Sequence, residues 1–108
     1  MKANAVLLLA AATLVSAGAL ANADLAKKSG CLACHQPDKK VVGPAYQEVA
    51  KKYAGQKDAE AKVIESITRG TVGAGKWGQI PMPPKGGNNA VSEADIKILA
   101  RWILGGAK

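Results

Sequence analysis

Residues Cys31-Leu32-Ala33-Cys34-His35 place two thiols three positions apart, with an imidazole directly after the second. Such a pair can exchange electrons as a dithiol, bind zinc, close a disulfide, or capture a haem covalently in the C-x-x-C-H pattern. Haem capture uses every part of the motif: the two thiols add to the vinyl groups along one edge of the ring, and the histidine is then held beneath the iron. A thioredoxin-like dithiol needs a βαβ setting, and none is visible. A zinc site needs more ligands, but His35 is the only histidine and no third cysteine exists. A plain disulfide is compatible with the spacing, yet it leaves the adjacent His35 unexplained.

A haem iron bound by one histidine and used for electron transfer commonly takes a methionine on its other face. Apart from Met1, the chain has one methionine, Met82, in Ile80-Pro81-Met82-Pro83-Pro84. Prolines on both sides fix their own φ and restrict their neighbours, so the thioether is expected on a stiff, extended segment. Met82 is therefore the expected second axial ligand, rather than a flexible gap-filler in the core. Two further residues carry candidate roles. The neighbourhood of Pro44 can offer a backbone carbonyl to the ring N–H of His35, a contact that orients an axial imidazole. Trp77, between Gly75-Lys76 and Gly78, can aim its indole N–H at a buried haem propionate.

Short helices must position these groups. Asp24 to Gly30 reads as a helix with an acidic start and a basic end, running directly into Cys31. A polar loop covers Gln36 to Pro44, and Ala45, Tyr46, Val49, Ala50 and Tyr53 then form an apolar stripe at helical spacing, with Pro44 in the first turn. Gly55 ends this helix. Asp58 opens a third, with Ala59, Val63, Ile64 and Ile67 on one face as far as Arg69-Gly70. From Gly70 to Val91 the chain is rich in Gly, Pro and Asn without periodicity, which predicts a long functional loop. Ser92 caps a last helix, with Asp95 at the capping-box position and Ile96, Leu99, Ala100 and Ile103 as its buried stripe; Trp102 is expected to pack between the terminal helices. No segment alternates, so the fold class is all-α.

The N-terminal segment reads differently. Lys2, an apolar run from Ala5 to Val15 and small residues ending in Ala21-Asn22-Ala23 match a secretory signal cleaved before Asp24. The apolar part is short for a membrane anchor, so no stable insertion is expected after cleavage. Removing residues 1–23 from the 108-residue chain leaves 85, a single domain at 24–108, near the size where an apolar core alone contributes little stability. With no Phe, two Trp and two Tyr, the chain has few large side chains for that core, and a planar apolar cofactor would supply the deficit. The formal charge of +7 includes Lys2, which leaves +6 on the mature domain. Export and the absence of long basic runs exclude nucleic acid, and acidic redox proteins fit the charge better. Lys27, Lys28, Lys39, Lys40, Lys76 and Lys85 come from segments next to the haem and are expected around its exposed edge, with Leu32, Ala33 and Ile80 as the apolar residues at the edge itself.

With C-L-A-C-H, V-G-P-A-Y, W-G-Q-I-P-M-P-P and the last helix in place, the sequence resembles the small bacterial class I cytochromes c of the cytochrome c-551 type, over essentially the whole mature chain. The resemblance implies a cytochrome c fold of about four short helices around one covalent haem c. It implies thioether attachment at Cys31 and Cys34, axial ligation by His35 and Met82, a carbonyl from Pro44 to His35, and a propionate contact from Trp77. It further implies a monomeric periplasmic single-electron carrier, not an enzyme, working between respiratory or denitrification complexes. The loops Gly73-Ala74-Gly75-Lys76 and Lys85-Gly86-Gly87-Asn88-Asn89 are richer in Gly and Asn than the family pattern. A haem enzyme or gas sensor in which Met82 leaves the iron is the rival, but no second histidine is present for acid–base chemistry.

Overall fold

A computed structural model describes residues 22–71 and 80–108. The proposed signal segment up to residue 21, Lys76 and Trp77 lie outside the described residues. Helix α1 is described over 22–28, followed by a 3-10 turn at Cys31–Ala33, α2 at Tyr46–Tyr53 and α3 at Ala59–Arg69. A second 3-10 turn at Pro84–Gly87 precedes α4 at Glu93–Leu104. Among the described residues there is no strand, only isolated bridges at His35–Lys40 and Thr71–Met82. The fold is all-α, and no described helix is long and apolar enough to cross a membrane.

Helix α4 organises the core. Its residues Ile96, Leu99, Ala100 and Ile103 recur at i, i+3, i+4 and i+7, and all four are buried. Ile96 and Leu99 are fully buried, each worth about 1.5–3 kcal/mol relative to exposure. The helix starts where expected: Ser92 Oγ accepts the Asp95 N–H at 3.1 Å, satisfying one of the unpaired N-terminal donors. It packs against both α2 and α3. Ala26 of α1, Tyr46 of α2 and Trp102 of α4 share one cluster, so Trp102 does pack between the terminal helices. A second cluster joins Tyr53, Val63 and Ala100. Arg101 of α4 pairs with Glu60 of α3 at the surface.

Three features differ from the sequence expectation. Helix α1 includes Asn22 and Ala23 rather than starting at Asp24, and Ala23 packs on the core cluster. Ala45 is the N-cap of α2, so Pro44 stands just outside the helix instead of in its first turn. The reason lies in the backbone: Gln36 O accepts the Tyr46 N–H and Pro37 O accepts the Gln47 N–H, each at 3.0 Å, in place of a side-chain cap. The long loop also contains order that the sequence does not signal, namely the Pro84–Gly87 turn with Lys85, Gly86 and Gly87 at positive φ.

Candidate haem site

The attachment motif is shaped by the turn that carries it. Gly30, at φ 85°, ends α1 in the left-handed conformation that glycine adopts without penalty. The chain then enters a 3-10 turn in which Cys34 N–H and His35 N–H both reach back to Cys31 O, at 3.2 and 3.0 Å. Side chains three apart eclipse in this conformation, so the positions of Cys31 and Cys34 are brought onto one side. Cys31 is half-buried, Cys34 is exposed, and both thiols are free. Burial pushes the Cys31 thiol above its ordinary range, partly opposed by a hydrogen bond with Tyr46.

The loop after the motif wraps His35. Cys34 O accepts the N–H groups of Val42 and Gly43, at 3.1 and 2.8 Å, folding residues 42–44 back over the histidine. His35 Nδ1 lies 2.8 Å from Pro44 O. A carbonyl only accepts, so this contact places the proton on Nδ1 and leaves Nε2 with a free lone pair, the form a metal requires. On one side of the ring, Gly43 approaches so closely that no side chain would fit. Tyr46 stacks on the imidazole at a centroid distance of 4.9 Å and an interplanar angle of 17°. Burial pushes the Tyr46 phenol far above its ordinary range, so it stays neutral.

Met82 is held from the end of α3. Met82 N–H donates to Thr71 Oγ1 at 3.2 Å, and Met82 O accepts the Thr71 N–H at 2.9 Å, so one threonine grips both sides of the methionine backbone. Gly70, at φ 76°, lies against the Met82 carbonyl and the Pro84 nitrogen, which needs both the left-handed conformation and a missing Cβ. Thr71 and Gly70 carry no signal of the site in the sequence, and Gly43 and Tyr46 enter there only within V-G-P-A-Y, without a role of their own. Tyr46 otherwise reads there as part of a helical stripe, and Gly70 only as a helix terminator.

Cys31, Cys34, His35, Pro44 and Met82 all border one cavity of about 220 Å³, walled by apolar residues of α2, α3 and α4 such as Val49, Val63, Ile67, Leu99 and Ile103. Close-packed interiors leave few voids larger than a water molecule, so a space this size marks a place built for a guest. The residues present fit a haem: two thiols, an imidazole with its Nε2 lone pair free, a thioether and apolar walls all meet in one space. Trp77, the remaining candidate, lies outside the described residues. Ile80, 65% exposed, and Val42, 44% exposed, stand at the mouth of the cavity. Leu32, half-buried, packs against the cluster of Tyr46, Leu99 and Ile103 that also walls the cavity, and Ala33 is exposed.

Comparison with known proteins agrees with this chemistry. The cytochrome c family model matches residues 20–107. Cytochrome c-552 of Nitrosomonas europaea is 54% identical over 95 residues, covering 88% of this chain and 87% of that protein. Cytochrome c-551 of Pseudomonas aeruginosa is 50% identical over 99 residues, covering 90% and 89%. The crystal structure of the Nitrosomonas europaea protein superposes with a TM-score of 0.69, covering 77% of this chain and 96% of that one. The class 1 cytochrome MtoD of Sideroxydans lithotrophicus, 35% identical, gives 0.63, covering 82% and 95%. A family model spanning most of the chain and relatives at about half identity fix the assignment: the chain, with Cys31 and Cys34 at the C-x-x-C-H spacing, belongs to the cytochrome c family, whose members carry covalent haem c, as a small class I electron carrier, not an enzyme.

Proposed function

We propose that this protein is a periplasmic single-electron shuttle between respiratory or denitrification complexes, with His35 and Met82 as axial ligands. The observation that carries this reading is the hydrogen bond from His35 Nδ1 to Pro44 O beside a cavity shared with both cysteines and Met82. When bound, haem supplies a one-electron ferric/ferrous couple. The chain's part is to hold it still: Cys31 and Cys34 would attach it by thioethers, Pro44 O orients His35, and Thr71 holds Met82. His35 and Met82 would hold the iron from the two faces of the ring and leave no coordination site open for a substrate. Trp77 as a propionate donor belongs to the same proposal.

Export is supported by the Lys2, apolar and small-residue order that ends at Ala23. A monomer exchanging electrons with acidic partners is supported by the +6 mature domain, in which Lys39 and Lys40 are exposed beside the motif. Acid-acetone extraction should leave haem on the polypeptide, and haem recovered in the organic phase would sink covalent attachment. Met82→Ala should abolish the charge-transfer band at the red end of the oxidised spectrum and lower the potential. Survival of that band would assign the sixth position to another group.

A further inference from the structure

We propose that Tyr46 is a positioning residue for the axial imidazole: its ring, stacked on His35 and backed by Trp102, sets the angle at which His35 meets the haem. The proposal rests on His35 being an axial ligand. An imidazole bound through Nε2 keeps one soft coordinate, rotation of its plane about the bond to the metal. The hydrogen bond from Nδ1 to Pro44 O restrains one edge of the ring, but a single bond acts as a hinge and leaves tilt available.

Tyr46 removes that freedom. It lies nearly parallel to the imidazole, 17° between planes at 4.9 Å, in an offset-stacked range where tilting either ring loses contact. Tyr46 is itself fixed on every side. Its N–H is bound by Gln36 O and that of Gln47 by Pro37 O, so the start of α2 is tied to the two residues that follow His35. Trp102 of α4 meets the Tyr46 ring edge-on, at 5.6 Å and 70°, and both side chains are buried. The core that joins α1, α2 and α4 therefore holds in place the ring that lies on His35.

With histidine and methionine as ligands, the imidazole plane and the methionine orientation together would decide which iron orbital holds the unpaired electron of the ferric state, and so how spin spreads over the ring substituents. The proton shifts of the four haem methyl groups in the oxidised holoprotein would report the imidazole plane where the signals of the Met82 side chain stay parental. Tyr46→Phe keeps the stacked ring and should keep the parental order and spread of these shifts. Tyr46→Leu removes the flat face and should change their order or spread, with a change in electron paramagnetic resonance anisotropy and in potential. If Tyr46→Leu loses stability but retains the parental shift pattern, Tyr46 is core packing and the proposal is overturned. Should Tyr46→Leu fail to fold, Trp102→Leu, which leaves the stack but removes its backing, should shift the same methyl signals; a parental pattern there overturns the proposal equally. A parent protein without the low-spin ferric signal of a bound imidazole would instead overturn the ligation reading itself.

Discussion

Gly43 shows how a residue with no side chain can govern a site. A Cβ built there would stand 2.8 Å from His35 Nδ1 and 2.9 Å from Nε2, closer than real contacts allow. The imidazole would have to turn, weakening its bond to Pro44 O, because the Gly43 backbone is anchored on Cys34 O. Gly43→Ala should therefore cost about 1–3 kcal/mol in denaturant unfolding of the holoprotein, the usual range for overpacking. It should also move the reduction potential, since the displaced ring is the proposed ligand. A stability loss with an unchanged potential would show that the loop yields rather than the histidine.

The α3–Met82 connection separates the strength of an element from the stiffness of the site. Thr71→Val keeps the shape of the side chain but removes the oxygen that accepts the Met82 N–H, at a cost of about 1 kcal/mol. The loosened segment should let cyanide reach the oxidised iron faster than in the parent protein. An unchanged cyanide rate would mean that the flanking prolines alone hold the methionine. Ser92→Ala is the contrasting change: it removes the α4 cap at a similar cost of about 1 kcal/mol, while Ser92 itself takes no part in lining the cavity. Its unfolding midpoint should fall while its spectrum and cyanide rate stay parental.

Over the whole molecule, charge and exposed apolar surface meet at the cavity mouth. Lys85 borders the cavity, Lys39 and Lys40 are exposed beside the motif, and Ile80 and Val42 stand uncovered at the opening. Lys62 sits on α3, paired with Asp58 and absent from the cavity lining. An acidic partner steered to the mouth should accept electrons more slowly as salt rises and the Debye length shrinks. Lys39→Glu or Lys85→Glu should slow transfer more than Lys62→Glu. Equal effects at all three, or a rate indifferent to salt, would mean that the contact is apolar and the lysines only keep the protein in solution.

The sequence by itself determined what depends on covalent order and local period. The spacing of Cys31, Cys34 and His35 named the chemistry, the prolines around Met82 marked the proposed second ligand, and the helical stripes and end signals located α1 to α4. Tertiary structure decided whatever depends on groups far apart along the chain. Thr71 and Met82 are separated by a loop without periodicity, so nothing local shows that one grips the other. Tyr46 has the pattern of an ordinary core residue, and only the backbone bonds from Gln36 and Pro37 turn it onto His35. Leu32 shows the same dependence: its place next to Cys31 is plain in the sequence, but its contact with the core cluster, and the exposure of Val42 and Ile80 beside the cavity, are set by packing. Sequence neighbours share a side of the molecule only as far as the local turn allows, and which side faces the guest is set by how α2, α3 and α4 pack.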